Sequence, residues 1–106
     1  MEPERTVYHA IIAPAVYDRM YEHFTFLARV SESAARRLLD TFMKDIRSLV
    51  SMPFAYPPYD RVFLPKGKYR YMLSGKRYRI VYQVVDDAIY VDDVQDCRQD
   101  NDKNLI

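Results

Sequence analysis

The side chains best suited to chemistry in this 106-residue chain are the cations of one central segment. Arginine and lysine can hold phosphates or carboxylates. Between Arg61 and Gln83 no carboxylate separates the cations, which are Arg61, Lys66, Lys68, Arg70, Lys76, Arg77 and Arg79. The following segment is rich in aspartate, opposed only by Arg98 and Lys103. This sorting of charge predicts a local surface that docks a polyanion or an acidic partner protein.

Aromatic residues alternate with these cations in Tyr69-Arg70-Tyr71 and again from Tyr78 to Tyr82. Alternation with a period of two is typical of strands that have one buried and one exposed face. We therefore expect Tyr78 and Tyr82 to pack inward. Arg70 and Arg79 are expected on one shared, accessible face of the sheet.

Length and composition predict a single domain over residues 1–106, with enough apolar content (49%) for one core. The formal net charge of +1 means that anion binding must be local. The lone Cys97 cannot form an internal disulfide, and two scattered histidines do not make a metal site, so no cofactor or metal is expected. The chain also lacks an apolar run long enough for a membrane helix and a signal-peptide pattern at residue 1, which predicts a cytoplasmic location without membrane contact.

The order of the elements follows from periodicity and from turn residues. A first strand is predicted over Thr6–Ile12, followed by helices over about Ala15–Arg29 and from Ser31 to about Ser51 or Met52. Pro53–Gly67 holds four prolines and is expected to be an ordered, irregular loop. Three further strands are predicted over Lys68–Leu73, Arg77–Val85 and Ala88–Asp96, joined by turns at Ser74-Gly75-Lys76 and Asp86-Asp87. Asp92-Asp93 interrupts the last strand, either as a bulge or as a partly exposed edge.

These elements predict an α+β fold of order β-α-α-β-β-β, in which a helical hairpin packs on one face of a mostly antiparallel sheet. The apolar stripes of the two helices place Tyr17, Tyr21, Leu38, Phe42 and Ile46 in the core between helices and sheet. Asp18, Arg19, Glu22 and His23 are expected mainly on the solvent side of the first helix.

The segment Lys68–Gly75 followed by Tyr78–Asp87 resembles the central hairpin of toxins of the RelE/ParE superfamily. The last strand, ending Val94-Gln95-Asp96-Cys97-Arg98, is similar to the closing strand of that family. The resemblance covers Thr6 to Arg98 and is most specific from Tyr78 to Asp87. It implies a toxin of a type II toxin–antitoxin (plasmid stabilisation) system, with a cognate antitoxin as partner and a RelE/ParE-like fold.

The resemblance also implies candidate site residues. Arg79 matches the strand arginine of RelE-like members, Arg70 stands where a lysine is frequent, and Arg98 lies within one residue of the closing-strand arginine. These three are the candidates for a catalytic role. A surface that binds the target or the antitoxin is expected from Arg61, Lys66, Lys68, Arg70, Arg77, Arg79 and Arg98.

Two activities are known in the superfamily, and the sequence favours one of them. RelE-like members cut mRNA on the ribosome, which requires a base and an acid beside the phosphate. In this chain Asp96 takes the place of the family's histidine and Met72 that of a lysine, so a ParE-like toxin that inhibits growth by binding a target such as DNA gyrase is preferred. A RelE-like endoribonuclease and a non-toxic binding module remain alternatives, and the chain could act as a homodimer or in a toxin–antitoxin hetero-oligomer.

Overall fold

A computed structural model describes residues 6–98 and 104–106. The elements are β1 (His9–Ile12), α1 (Pro14–Ala28), α2 (Glu32–Ser48), β2 (Arg70–Ser74), β3 (Tyr78–Val85) and β4 (Ala88–Asp96). The predicted element order is confirmed, and the bounds of β4 are those expected. Strands β1 and β2 begin two or three residues later than predicted.

The four strands form one sheet of order β1-β4-β3-β2. Strands β2, β3 and β4 are antiparallel neighbours, whereas β1 pairs in parallel with β4 at one edge. Asp93 lies opposite Val81 and Val91 lies opposite Tyr82, so Asp92 has no partner of its own. The Asp92-Asp93 irregularity is therefore a bulge, because two residues of β4 occupy one step of β3.

The helices begin and end where local chemistry dictates. Pro14 fits the first turn of α1, where a missing N–H costs nothing. The Ser31 hydroxyl accepts a hydrogen bond from the Ala34 N–H at 3.1 Å and caps α2. The predicted end of α2 is about three residues too late: α2 ends at Ser48, and Val50, Ser51 and Met52 donate to carbonyls three residues back. This tightened turn is what a following Pro53 permits.

The core lies between the helical hairpin and one face of the sheet. Both predicted inward tyrosines, Tyr78 and Tyr82, are buried there. The Tyr82 hydroxyl donates to the Pro53 carbonyl at 2.7 Å, and burial raises the pKa of this phenol to about 12, so it stays protonated and ties the loop to the core. The core residues of the helices and strands include Val16, Met20, Leu38, Phe42, Ile46, Met72, Ile80, Val91 and Val94.

The predicted inward face of α1 is wrong. Tyr17 and Tyr21 are exposed, whereas Arg19 and His23 are buried. The His23 Nε2 lies 2.7 Å from the Val94 carbonyl, and Arg19 reaches towards the buried Asp93 carboxylate on β4. His23 thus has a hydrogen-bond partner and Arg19 a nearby opposite charge on a distant strand, and neither can be inferred from the periodicity of the helix.

The opposite face of the sheet is not open as predicted. The loop between α2 and β2 covers it, so that Tyr59, Tyr69 and Val81 form a second buried cluster with Leu64 and Ile106 packed against it. The loop is tied to β2 by main-chain hydrogen bonds from Tyr59 to Tyr69 and from Tyr71 to Pro57. The loop is thus ordered, and it leaves only part of the cationic strand surface accessible.

Candidate cationic groove at the end of the helical hairpin

Arg70 and Arg79 leave opposite faces of the sheet. Arg70 lies opposite Tyr82 and Leu73 lies opposite Arg79, so Arg70 is in phase with the core-facing positions and Arg79 is not. The expectation that these two arginines share an accessible face is therefore wrong. The physical reason is that nine positions, an odd number, separate them across a three-residue turn, and the register of that hairpin decides the face.

Arg70 serves the loop that follows α2. Its Nη1 donates to the Tyr56 carbonyl at 2.7 Å and more weakly to the Phe54 carbonyl at 3.4 Å, and its guanidinium lies over the Phe54 ring. These contacts occupy the side chain with main-chain acceptors. Arg70 therefore positions residues 54–56.

Arg79 belongs to a polar network on the loop-covered face. Its Nε donates to the Gln95 Oε1 at 2.9 Å, and its guanidinium lies 5.7 Å from the centre of the Tyr59 ring. The Gln95 amide nitrogen donates in turn to Asp93 and to the Ile106 carbonyl. The groups that contact Arg79 are thus an amide and a buried phenol, which do not supply the histidine or carboxylate expected beside a scissile phosphate.

Three further predicted site cations, Arg61, Lys66 and Lys68, lie before β2, and Arg61 shares the Tyr59 ring with Arg79. Arg61 stacks on the Tyr59 ring at 4.3 Å, and the Lys68 ammonium lies 5.3 Å from the Tyr69 ring. Lys66 is exposed. Arg61 and Lys66 both line a shallow pocket in the loop with Asp60, Val62 and Leu64.

A different set of residues forms a second cationic cleft among those the structure describes, and this cleft is lined by three arginines. We call it the hairpin-end groove, a cleft of about 390 Å³ between the turn of the helical hairpin, the β2–β3 turn and Arg98, which follows β4. Its cations are Arg37, Arg77 and Arg98. Its apolar and small residues are Phe26, Leu27, Val30, Ala34, Leu38, Thr41, Gly75 and Tyr78.

Local structure brings these elements together. Val30 and Ser31 both donate to the Leu27 carbonyl, which makes the hairpin turn tight. Gly75 has φ +58°, and a Cβ there would lie 3.0 Å from the Leu38 Cδ1, so a glycine allows the β2–β3 turn to approach α2. The Cys97 N–H donates to the Arg77 carbonyl at 2.8 Å, which continues the pairing past β4 and places Arg98 near Arg77.

The groove carries net positive charge. Arg98 makes a two-pronged ion pair with the buried Asp96, with Nε 3.0 Å from Oδ1 and Nη2 3.0 Å from Oδ2. Burial would raise the pKa of Asp96, but the hydrogen bonds and the charge of Arg98 outweigh it and hold that pKa below its usual value. Burial and the Asp96 charge raise the pKa of Tyr78. Arg37 and Arg77, by contrast, form no ion pair with any carboxylate in the described part of the chain.

The groove unites two predicted site residues, Arg77 and Arg98, with residues that the sequence did not single out. Phe26, Val30 and Arg37 lie off the apolar stripes used to place the helices. One signal was available: Phe26, near the end of α1, and Val30, in the hairpin turn, are apolar residues outside the predicted stripe, and exposed apolar residues that lie close together indicate a contact surface. The three catalytic candidates Arg70, Arg79 and Arg98 do not converge, since each is engaged by separate partners.

Two further properties concern the described residues only. None of their helices is sufficiently long and apolar to cross a membrane. Residues 6–98 and 104–106 also contain no cluster of three or more histidine, cysteine, aspartate or glutamate side chains able to hold a metal ion.

The fold and the groove define a small α+β protein with a cationic cleft, and comparison with known proteins places it in a family. Residues 11–101 match the model of the family described as "ParE toxin of type II toxin-antitoxin system, parDE". The chain belongs to this ParE toxin family, as the RelE/ParE resemblance implied. A solved structure titled "Chromosomal ParDE TA system from P. aeruginosa" has the same fold, with a TM-score of 0.70 at 6% identity over 87% of this chain and 98% of that one. No curated protein matches the chain.

Proposed function

We propose that this protein is the toxin of a type II toxin–antitoxin module, and that it inhibits growth by binding a target rather than by cutting RNA. Family membership supports the toxin assignment. The separation of Arg70, Arg79 and Arg98 supports binding, because cleavage of RNA requires a base, an acid and a phosphate-holding group around one bond. DNA gyrase is the target that a ParE-like toxin implies, and cytoplasmic action on such a target follows from the same assignment.

The hairpin-end groove is the proposed site for the cognate antitoxin. The observation that carries this proposal is that Arg37 and Arg77, unneutralised by described carboxylates, lie beside apolar lining residues that include Val30, which is 86% exposed. An amphipathic segment with acidic residues on one side would bury these apolar residues and neutralise both arginines. The complex would then be a toxin–antitoxin hetero-oligomer.

Induced expression in a bacterial host tests the activity. We expect growth arrest by the wild type and rescue when the product of the neighbouring antitoxin reading frame is co-expressed. Purified protein should block supercoiling by DNA gyrase and leave mRNA on programmed ribosomes intact. Cut mRNA would instead establish the RelE-like endoribonuclease, and normal growth at full expression would leave a non-toxic binding module.

A further inference from the structure

Two adjacent apolar side chains project from the loop between α2 and β2. Val62 is fully exposed and Phe63 is 73% exposed, and we call this pair the loop tip. Single exposed apolar residues are common on protein surfaces. An adjacent aliphatic and aromatic pair at the tip of an ordered loop is typical of surfaces that bind partners. Exposure of both side chains to water is unfavourable, and binding of a partner would bury their apolar surface.

The segment that carries the loop tip is held in place. The Arg61 guanidinium stacks on the buried Tyr59 ring, and the Leu64 N–H donates to the Arg61 carbonyl at 3.0 Å. Leu64 itself packs against the second core cluster. Val62 and Phe63 therefore stand between two anchored residues. A contact that is already ordered loses little conformational entropy when it binds.

Cations border the loop tip. Arg61 directly precedes it, and Lys66 and Lys68 follow on the same loop. The one carboxylate of this stretch, Asp60, accepts a hydrogen bond from the Gly67 N–H at 3.4 Å. Arg61, Lys66 and Lys68 form no ion pair within the described part of the chain. The local chemistry is thus an exposed apolar pair beside three cations and one carboxylate, with a net positive charge.

We propose that the loop tip inserts into an apolar pocket bordered by carboxylates on the protein target of this toxin. This inference rests on the proposed function and adds a second contact surface, distinct from the hairpin-end groove. A protein fits better than a nucleic acid because Val62 has neither a ring for stacking on bases nor a polar group to read them. A protein also fits better than a lipid surface, because two side chains bury little area in a bilayer.

The test compares a double variant, V62S/F63S, with the wild type. Both positions are exposed, so the variant should unfold at the same temperature as the wild type. V7S is the matched control, since Val7 is an exposed valine (67%) outside the loop. The measured quantity is the amount of toxin per cell that gives half-maximal growth arrest. For loss of an anchor side chain worth about 2 kcal/mol, this amount should rise about 30-fold in V62S/F63S and stay unchanged in V7S.

Two charge-reversal variants test the role of the cations beside the loop tip. Lys66→Glu should raise the amount needed for arrest, whereas Lys44→Glu on the exposed side of α2 should not. Each variant should still bind the antitoxin as the wild type does, because the hairpin-end groove is intact.

Three outcomes of these experiments would each contradict the proposal. Wild-type arrest retained in V62S/F63S overturns the loop tip as a target contact and leaves the proposed function standing. A wild type that does not arrest growth overturns the proposed function and this inference with it. Binding to phosphatidylglycerol vesicles, or to a single-stranded RNA oligonucleotide, that is strong in the wild type and lost in V62S/F63S would replace the protein partner by lipid or nucleic acid.

Discussion

The His23 Nε2 lies 2.7 Å from the Val94 carbonyl, so a helix and a central strand are joined by one buried ring. The same ring packs 4.9 Å from Tyr78 and 6.3 Å from Phe42, measured between centroids. With a carbonyl as the partner, Nε2 must carry a proton and donate it. Burial lowers the pKa of His23, and the nearby Arg19 charge adds to this, while the Val94 carbonyl, Asp96 and Glu22 oppose it.

This histidine should make stability depend on pH. In the unfolded chain His23 takes up a proton near pH 6.5, whereas the folded chain does so only at lower pH. Between the two pKa values the unfolded state binds more protons, so the free energy of unfolding falls as the pH drops through 6.5. The loss should approach about 1.4 kcal/mol per pH unit for one proton.

Urea unfolding at a series of pH values from neutral to mildly acidic measures this slope. His23→Gln should flatten it, because the amide can still donate to Val94 but takes up no proton. His9→Gln is the matched control and should retain the slope, since His9 is exposed on β1. A slope that survives His23→Gln would assign the proton uptake to another group.

Asp93 and Arg19 form a buried pair whose two members should not be equivalent. Asp93 accepts hydrogen bonds from the N–H of Val94, the side chain of Gln95 and the N–H of Leu105, at 2.8–2.9 Å. The Arg19 Nε lies 3.6 Å from Asp93, and the Nε and Nη2 of Arg19 have no hydrogen-bond partner among the described residues. We expect Asp93→Ala to cost about 3–5 kcal/mol, as for other broken buried pairs.

Arg19→Met should cost less, because it removes poorly satisfied N–H groups along with the charge. Thermal and urea unfolding of both variants check the order. An Arg19→Met variant less stable than Asp93→Ala would contradict the unequal roles.

Arg70 should contribute to stability and leave antitoxin binding unaffected. Arg70→Ala removes the hydrogen bonds to the Tyr56 and Phe54 carbonyls, and we expect a loss of about 1–3 kcal/mol in the free energy of unfolding. Lys68→Ala, two residues away and exposed, should change stability by less than about 0.5 kcal/mol. Calorimetric titration with the antitoxin should give wild-type affinity for both variants. A weakened complex in Arg70→Ala with unchanged stability would return Arg70 to the binding surface.

Much of the fold could be predicted because its determinants are local. Period-two alternation placed β3 and β4, Ser31 marked the start of α2, and the Asp86-Asp87 turn fixed the β3–β4 hairpin. The inward face of α1 could not be predicted. Its exposed tyrosines look like core residues in a stripe, and burial of Arg19 and His23 depends on acceptors on β4, more than 70 positions along the chain for each residue.

The candidate site was predicted only in part for a related reason. Arg77 and Arg98 were selected as cations of the hairpin and closing strand, but Arg37 joins them through the packing of α2 against the β2–β3 turn. The faces of Arg70 and Arg79 depend on the register of one hairpin. The register places Arg70, the first residue of β2, in phase with the core-facing residues. An arginine is tolerated there because the preceding loop supplies a carbonyl acceptor for its side chain.

Calorimetric titration of the toxin with its antitoxin, in the wild type and in Arg77→Glu, tests the central claim most directly. Arg77 lines the hairpin-end groove, whereas its neighbour Lys76 does not, so Lys76→Glu is the matched control. We expect Arg77→Glu to weaken the complex by about 30-fold or more, because a buried carboxylate–arginine contact becomes a repulsion, and Lys76→Glu to remain close to wild type. Equal affinities for the wild type and Arg77→Glu, or an equal loss in both variants, would contradict the assignment of the groove to the antitoxin.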